Sequence, residues 1–158
     1  MSLEAQTRNQ TALGSAVESL LSAGAPDAVG ISVDMSDADS IAAGFAAVSQ
    51  RWGELNSLVH TIGPGDGYFE DMDDAQWEAA FTLGTMSGVR SIRAALPMLR
   101  AAGWARIVTL SAHSIQRQNP RIVAYTASKA ALSSVTKNLS KSLARAAFWS
   151  TACVRGPS

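Results

Sequence analysis

At 158 residues the chain is long enough for one domain with a real hydrophobic core and too short to suggest two. Thirteen basic and thirteen acidic residues cancel, so no overall field draws it to nucleic acid, an acidic ligand or a membrane surface. The single cysteine, Cys153, cannot close an internal disulfide and has no Cys or His at metal-ligand spacing, which sets aside a disulfide scaffold and a metal site and fits a reducing compartment.

The start, Met1 to Gln10, is polar and carries Glu4 and Arg8, unlike the apolar run of a signal peptide. No later apolar run approaches the ~20 residues of a membrane span, so a cytoplasmic protein is expected. Leu13, Val17, Leu20 and Leu21 have helical spacing, and Gly24 with Pro26 ends that helix. Val29 to Val33 is a short β-branched run that predicts a strand. It leads into Asp34-Met35-Ser36-Asp37, where Ser36 or Asp37 can cap a helix carrying Ile41, Phe45 and Val48, closed by Gly53.

Leu55 to Thr61 follows as a buried strand, then the loop Gly63-Pro64-Gly65-Asp66-Gly67. Asp73 or Asp74 caps a long helix toward Ala101, with Trp77, Phe81, Val89, Ile92 and Leu96 on its apolar side. Gly103 ends it, and Ile107 to Leu110 is a third strand. Ser111 to Arg121 is a polar loop, and Val123 to about Ala147 a second long helix, on which Lys137, Lys141 and Arg145 form a solvated face. The order is αβαβαβα, beginning with a helix, and such alternation is the mark of a parallel sheet covered by helices. A nucleotide-binding domain of this class normally opens instead with a strand and a glycine-rich turn.

Tyr125 and Lys129 are four residues apart on the second long helix, which places a phenol and an ammonium on one face. A phenol alone is a poor base at neutral pH. A nearby cation stabilises the phenolate and brings such a group within range of acid–base work. The spacing alone is a weak signal, since a surface Tyr beside a solvated Lys would give it too.

The surrounding order adds to it. Arg106 to Ser114, Pro120 and Tyr125-Thr126-Ala127-Ser128-Lys129-Ala130-Ala131-Leu132 resemble, in order and spacing, the active-site segment of the short-chain dehydrogenase/reductase family. Val33 to Asp37 looks like the family's adenine-side turn, Leu58 to Gly63 sits where the family has Asn-Asn-Ala-Gly, and Trp77 and Arg93 to Pro97 fall in register. The resemblance spans about Arg8 to Ala144.

It implies an oxidoreductase that moves hydride between NAD or NADP and a small-molecule alcohol or carbonyl. Tyr125 would be the acid–base, and Lys129 would hold the nicotinamide ribose. Asp34, Met35, His60, Thr61 and Gly63 would line the coenzyme with the Tyr–Lys pair, although a strand-end His with no second ligand is more often structural. Arg8, near the end of the family's second strand, suggests a 2'-phosphate contact and hence NADP, without deciding the matter. The family's Ser lies thirteen residues before the Tyr, where this chain has Ala112. Ser111 or Ser114 could substitute, or both could merely bond to backbone. An Asn usual in the family is here Gly84.

The implied fold is α/β, a Rossmann-like doubly wound parallel sheet that is incomplete. One partial dinucleotide-binding domain spans residues 1–158, with the first strand, its glycine-rich turn and most of the second strand missing. That loss would leave the strand at Val29 to re-pair, swap or fray. Residues 145–158 form an off-pattern tail, and the abrupt loss of pattern suggests a truncation or a change of reading frame. The family implies a homo-oligomer. The alternative function is a truncated, inactive remnant that self-associates through its long helices.

Overall fold

In the computed structural model, residues 3–6, 10–65, 67–143 and 148–155 are described. Their elements are β1 (Leu3–Gln6), α1 (Gln10–Ser22), β2 (Ala28–Ile31), α2 (Ala38–Trp52), β3 (Ser57–His60), α3 (Asp74–Phe81), α4 (Ser87–Ala101), β4 (Ala105–Ala112), α5 (Val123–Leu143) and β5 (Phe148–Arg155). All strand pairs are parallel. They form two sheets, β1-β2 and β3-β4-β5.

Local signals place the helices. Asp37, rather than Ser36, caps α2 by accepting from the amides of Asp39 and Ser40, and Gly53 ends it at φ +74°. Asp73 and Gln76 form a reciprocal capping box at α3. The Arg51 guanidinium grips the Asp27 carboxylate and holds it below the usual range. Apolar faces of α2 and α4 meet β2, β3 and β4 in one core built around Val33, Ile41, Phe45, Ile92, Leu99 and Ile107.

Five expectations change. The strand expected to be buried from Leu55 to Thr61 is Ser57–His60, in which Ser57 and Val59 are exposed. The chain does not begin with a helix: Leu3–Gln6 is a strand, and it pairs with Ala28–Ile31, so the strand at Val29 is re-paired rather than orphaned. The polar loop expected from Ser111 begins later, because β4 runs through Ala112, where alternation sends Ser111 toward α5. Part of the off-pattern tail is regular, since Phe148–Arg155 pairs along the whole of β4.

The long helix expected from Asp74 to Ala101 is broken at Thr82–Met86 by a π-helical turn. Gly84 lies in that turn and Gly88 one turn on. A Cβ at Gly84 would fall 2.0 Å from Ser128 Oγ, and one at Gly88 would fall 2.8 Å from Leu132 Cδ1. Two glycines four apart thus let α5 seat Ser128 and Leu132 directly on the neighbouring helix, so Gly84 is a packing requirement. Thr85 Oγ1 adds a bond to the Ser128 carbonyl at 2.8 Å.

Candidate active site

The close seam between the π turn and α5 presses Tyr125 and Lys129 onto the C-terminal ends of β3 and β4. Lys129 is 1% exposed. Its ammonium donates to the carbonyl of Ile62, just past β3, and at 3.0 Å to that of Leu110 in β4. It lies 5.9 Å from the Tyr125 ring centroid. Burial lowers its pKa to about 8. An ammonium has three donors, and these two carbonyls leave one for a further acceptor.

Tyr125 is half-buried, and its ring lies against Gly63, where a Cβ would meet Tyr125 Cε2 at 2.8 Å. Gly63 and Thr61 are exposed, leaving the turn after β3 open beside the pair. Asp34 lies three residues past the end of β2. Its carboxylate accepts from the Ser36 amide and hydroxyl at 2.9 and 2.6 Å. Met35 is 7% exposed and belongs to the core. Arg8 lies outside the described residues.

His60 points the other way, into the protein. Its Nε2 is 2.9 Å from Ser87 Oγ, and Ser87 uses its one proton on the Leu83 carbonyl, so Nε2 carries the hydrogen and donates. Nδ1 is buried with no protein partner. Burial first, and the Lys129 charge second, push this imidazole down to about 4. His60 is therefore a neutral strut between β3 and α4, and only its backbone reaches the turn.

The two serines beside Ala112 have other partners. Ser111 Oγ bonds Ser133 Oγ at 2.6 Å, and Ser114 Oγ accepts from Thr126 Oγ1 at 2.7 Å. Ala112 is 4% exposed and offers no hydroxyl. Ser87 and Ser133 escaped the sequence reading because each is more than twenty residues from its partner. The pair Gly84 and Gly88 was a readable signal for the helix seam. Among the described residues, no group of three His, Cys, Asp or Glu could hold a metal ion, and no helix is long and apolar enough to cross a membrane.

With a parallel α/β sheet and a Tyr–Lys pair at its strand ends established, comparison with known proteins is decisive. The profile of the family described as Enoyl-(Acyl carrier protein) reductase matches residues 5–149. The chain belongs to the short-chain dehydrogenase/reductase family. It is 26% identical over 141 residues to "Dehydrogenase/reductase SDR family member 4" of Caenorhabditis elegans, covering 88% of this chain and 54% of that one.

Among solved structures, a short-chain dehydrogenase/reductase from Burkholderia phymatum in complex with NAD superposes at TM-score 0.88. It has 24% identity, and the match covers 98% of this chain and 56% of that one. A metagenomic short-chain oxidoreductase in complex with NADP gives 0.84 at 25% identity, covering 98% and 70%. The chain spans about half the length of the curated relatives it matches. The fold is the family's Rossmann-like α/β fold in incomplete form.

Proposed function

We propose that this chain carries the proton-handling half of an NAD(P)-dependent dehydrogenase/reductase acting on an alcohol or carbonyl. The observation that carries the reading is Lys129: buried, pinned to the ends of β3 and β4, and beside the Tyr125 ring. The residues present fit the nicotinamide-ribose end of a dinucleotide. Lys129 keeps one donor for a ribose hydroxyl, and Thr61 and Gly63 leave the adjoining backbone open.

Asp34 stands at the strand end where the adenosine side would lie. The nicotinamide, when bound, supplies or accepts hydride at the substrate carbon. Tyr125 gives a proton to the carbonyl oxygen as it is reduced, or takes one from the alcohol as it is oxidised. Lys129 orients the ribose and sets the electrostatics around the phenol. Ser114, on the turn after β4, keeps its own proton after accepting from Thr126, which makes it a better stand-in than Ser111 for the hydroxyl missing at Ala112. A reducing cytoplasm is the compartment this reading calls for.

The second reading is an inactive chain that self-associates, favoured by Ala112 and by exposed Phe81 and Met86 at the π turn, each 37% exposed. Fluorescence titration with NADH and NADPH, beside a sizing experiment, separates the two. The first predicts saturable coenzyme binding, and a fall in turnover on Tyr125→Phe of about 10²–10⁴-fold with binding retained. A dimer that leaves both coenzymes' fluorescence unchanged would sink it.

A further inference from the structure

The loop after β3 leads from the Tyr125–Lys129 pair to a second space. Gly63 lies against the pair, where a Cβ would meet Tyr125 Cε2 at 2.8 Å and Lys129 Cε at 3.5 Å. Two residues on, Gly65 borders a cavity of about 190 Å³ that is walled by Pro64, Met72, Ala79, Ala80 and Leu83. Proton handling at Tyr125 makes no use of it.

The wall is apolar. Ala79 and Ala80 come from α3 and Leu83 from the π turn. Met72 carries its thioether beside Gly67, where a Cβ would fall 3.0 Å from the sulfur. Methionine adapts its shape to what it meets, so that side of the cavity is adjustable. Among the described residues the one polar side chain in the wall is Gln76, and its carbonyl oxygen is already taken by the Asp73 amide at 2.8 Å. A dry cavity of ~150 Å³ lined by Leu, Ile and Phe takes up benzene, so this one has room for an aromatic ring or a chain of about six carbons.

The step between the two spaces is short and clear. At ~3.3–3.6 Å per residue, Gly65 lies within about 7 Å of Gly63, and both are exposed. A Cβ on Gly65 would meet nothing within 4 Å, and the Pro64 ring is directed to the π turn, its Cδ 3.2 Å from the Cβ position of Gly84. The ribbon from Gly63 to Gly65 thus puts no side chain across the way.

We propose that this cavity is the subsite for an apolar arm of the substrate: a phenyl ring or alkyl group joined by about two or three carbons to the alcohol or carbonyl that Tyr125 serves. The reacting end rests on the reading of Tyr125 above, and the arm rests on the cavity. Burial of the arm against Met72, Ala79, Ala80 and Leu83 supplies the affinity, and the tether holds the polar end at the phenol. Carbonyl compounds without such an arm bind poorly.

The test adds three probes to the 158-residue chain. Toluene is an arm without a carbonyl, acetone a carbonyl without an arm, and benzylacetone has both. NMR follows the methyl signals of Met72, Ala79 and Ala80 and the ring signals of Tyr125. Toluene should shift the methyl set saturably and leave Tyr125 unmoved. Benzylacetone should shift both with one Kd, at least about tenfold below that of toluene. Ala79→Leu, which fills the cavity, and Ala79→Asp, which puts a charge in its wall, should each weaken benzylacetone at least about tenfold. Ala79 is exposed, so both variants fold, and circular dichroism checks this.

The proposal is overturned if toluene gives no saturable shift, if acetone moves the methyl set as strongly as benzylacetone, or if both variants bind benzylacetone as the parent does. It is also overturned if benzylacetone binds no tighter than toluene and leaves Tyr125 unmoved, which would make the cavity a site for a separate apolar molecule. NADH and NADPH fluorescence in the same samples keeps this apart from the coenzyme. Shifts at both places without coenzyme binding leave the subsite standing and remove the coenzyme reading.

Discussion

Replacing His60 by Gln keeps a donor toward Ser87 and removes the group that can take up a proton. In the fold the imidazole is 3% exposed, with Nδ1 buried and Lys129 nearby, and its pKa falls from 6.5 to about 4. In the unfolded chain it returns to 6.5. Between these values the unfolded state binds the proton and the folded state does not, so stability is lost as pH falls from 6.5 and the loss levels off below about 4. At about 1.4 kcal/mol per tenfold change in proton affinity, the full loss is on the order of 3 kcal/mol, and about 2 kcal/mol of it is in place by pH 5. Urea unfolding of His60→Gln and the parent between about pH 7.5 and 4.5 measures it, since every other titrating group is common to both. The parent should lose stability relative to the variant by that amount. Equal acid slopes in the two proteins would refute the reasoning.

Gly84→Ala should destabilise by about 1–3 kcal/mol, because its Cβ collides with Ser128 Oγ and Cβ. Adding Ser128→Ala should recover part of that loss in denaturant titration, and strict additivity of the two changes would count against a direct clash. Asp73→Ala removes one half of the capping box at α3 and should cost about 1 kcal/mol, checked by the same titration. It should leave any coenzyme affinity unchanged.

Where a residue acts on its close neighbours, the chain could be read directly. Asp37, Gly53 and Asp73 mark helix ends through bonds to amides or carbonyls within four residues. The Tyr125–Lys129 pair needs only the helical repeat, and the structure places it at the strand ends. What stayed hidden depends on distant partners. Leu3–Gln6 contains no β-branched residue and is a strand because Ala28–Ile31 offers it an edge. Helical periodicity continues smoothly through Thr82–Met86, and the extra residue of the π turn shows only once α5 is packed on Gly84. The inward turn of His60 and Ser111 follows from Ser87 and Ser133, which the fold alone brings alongside.

The two carbonyls that receive the Lys129 ammonium belong to neighbouring strand ends, one past β3 and one in β4. The cation therefore works as a rivet at the point where the ladder between those strands runs out. A lysine with that duty serves the fold whether or not it also serves a reaction. The pair it forms with Tyr125 is thus a property of the scaffold first.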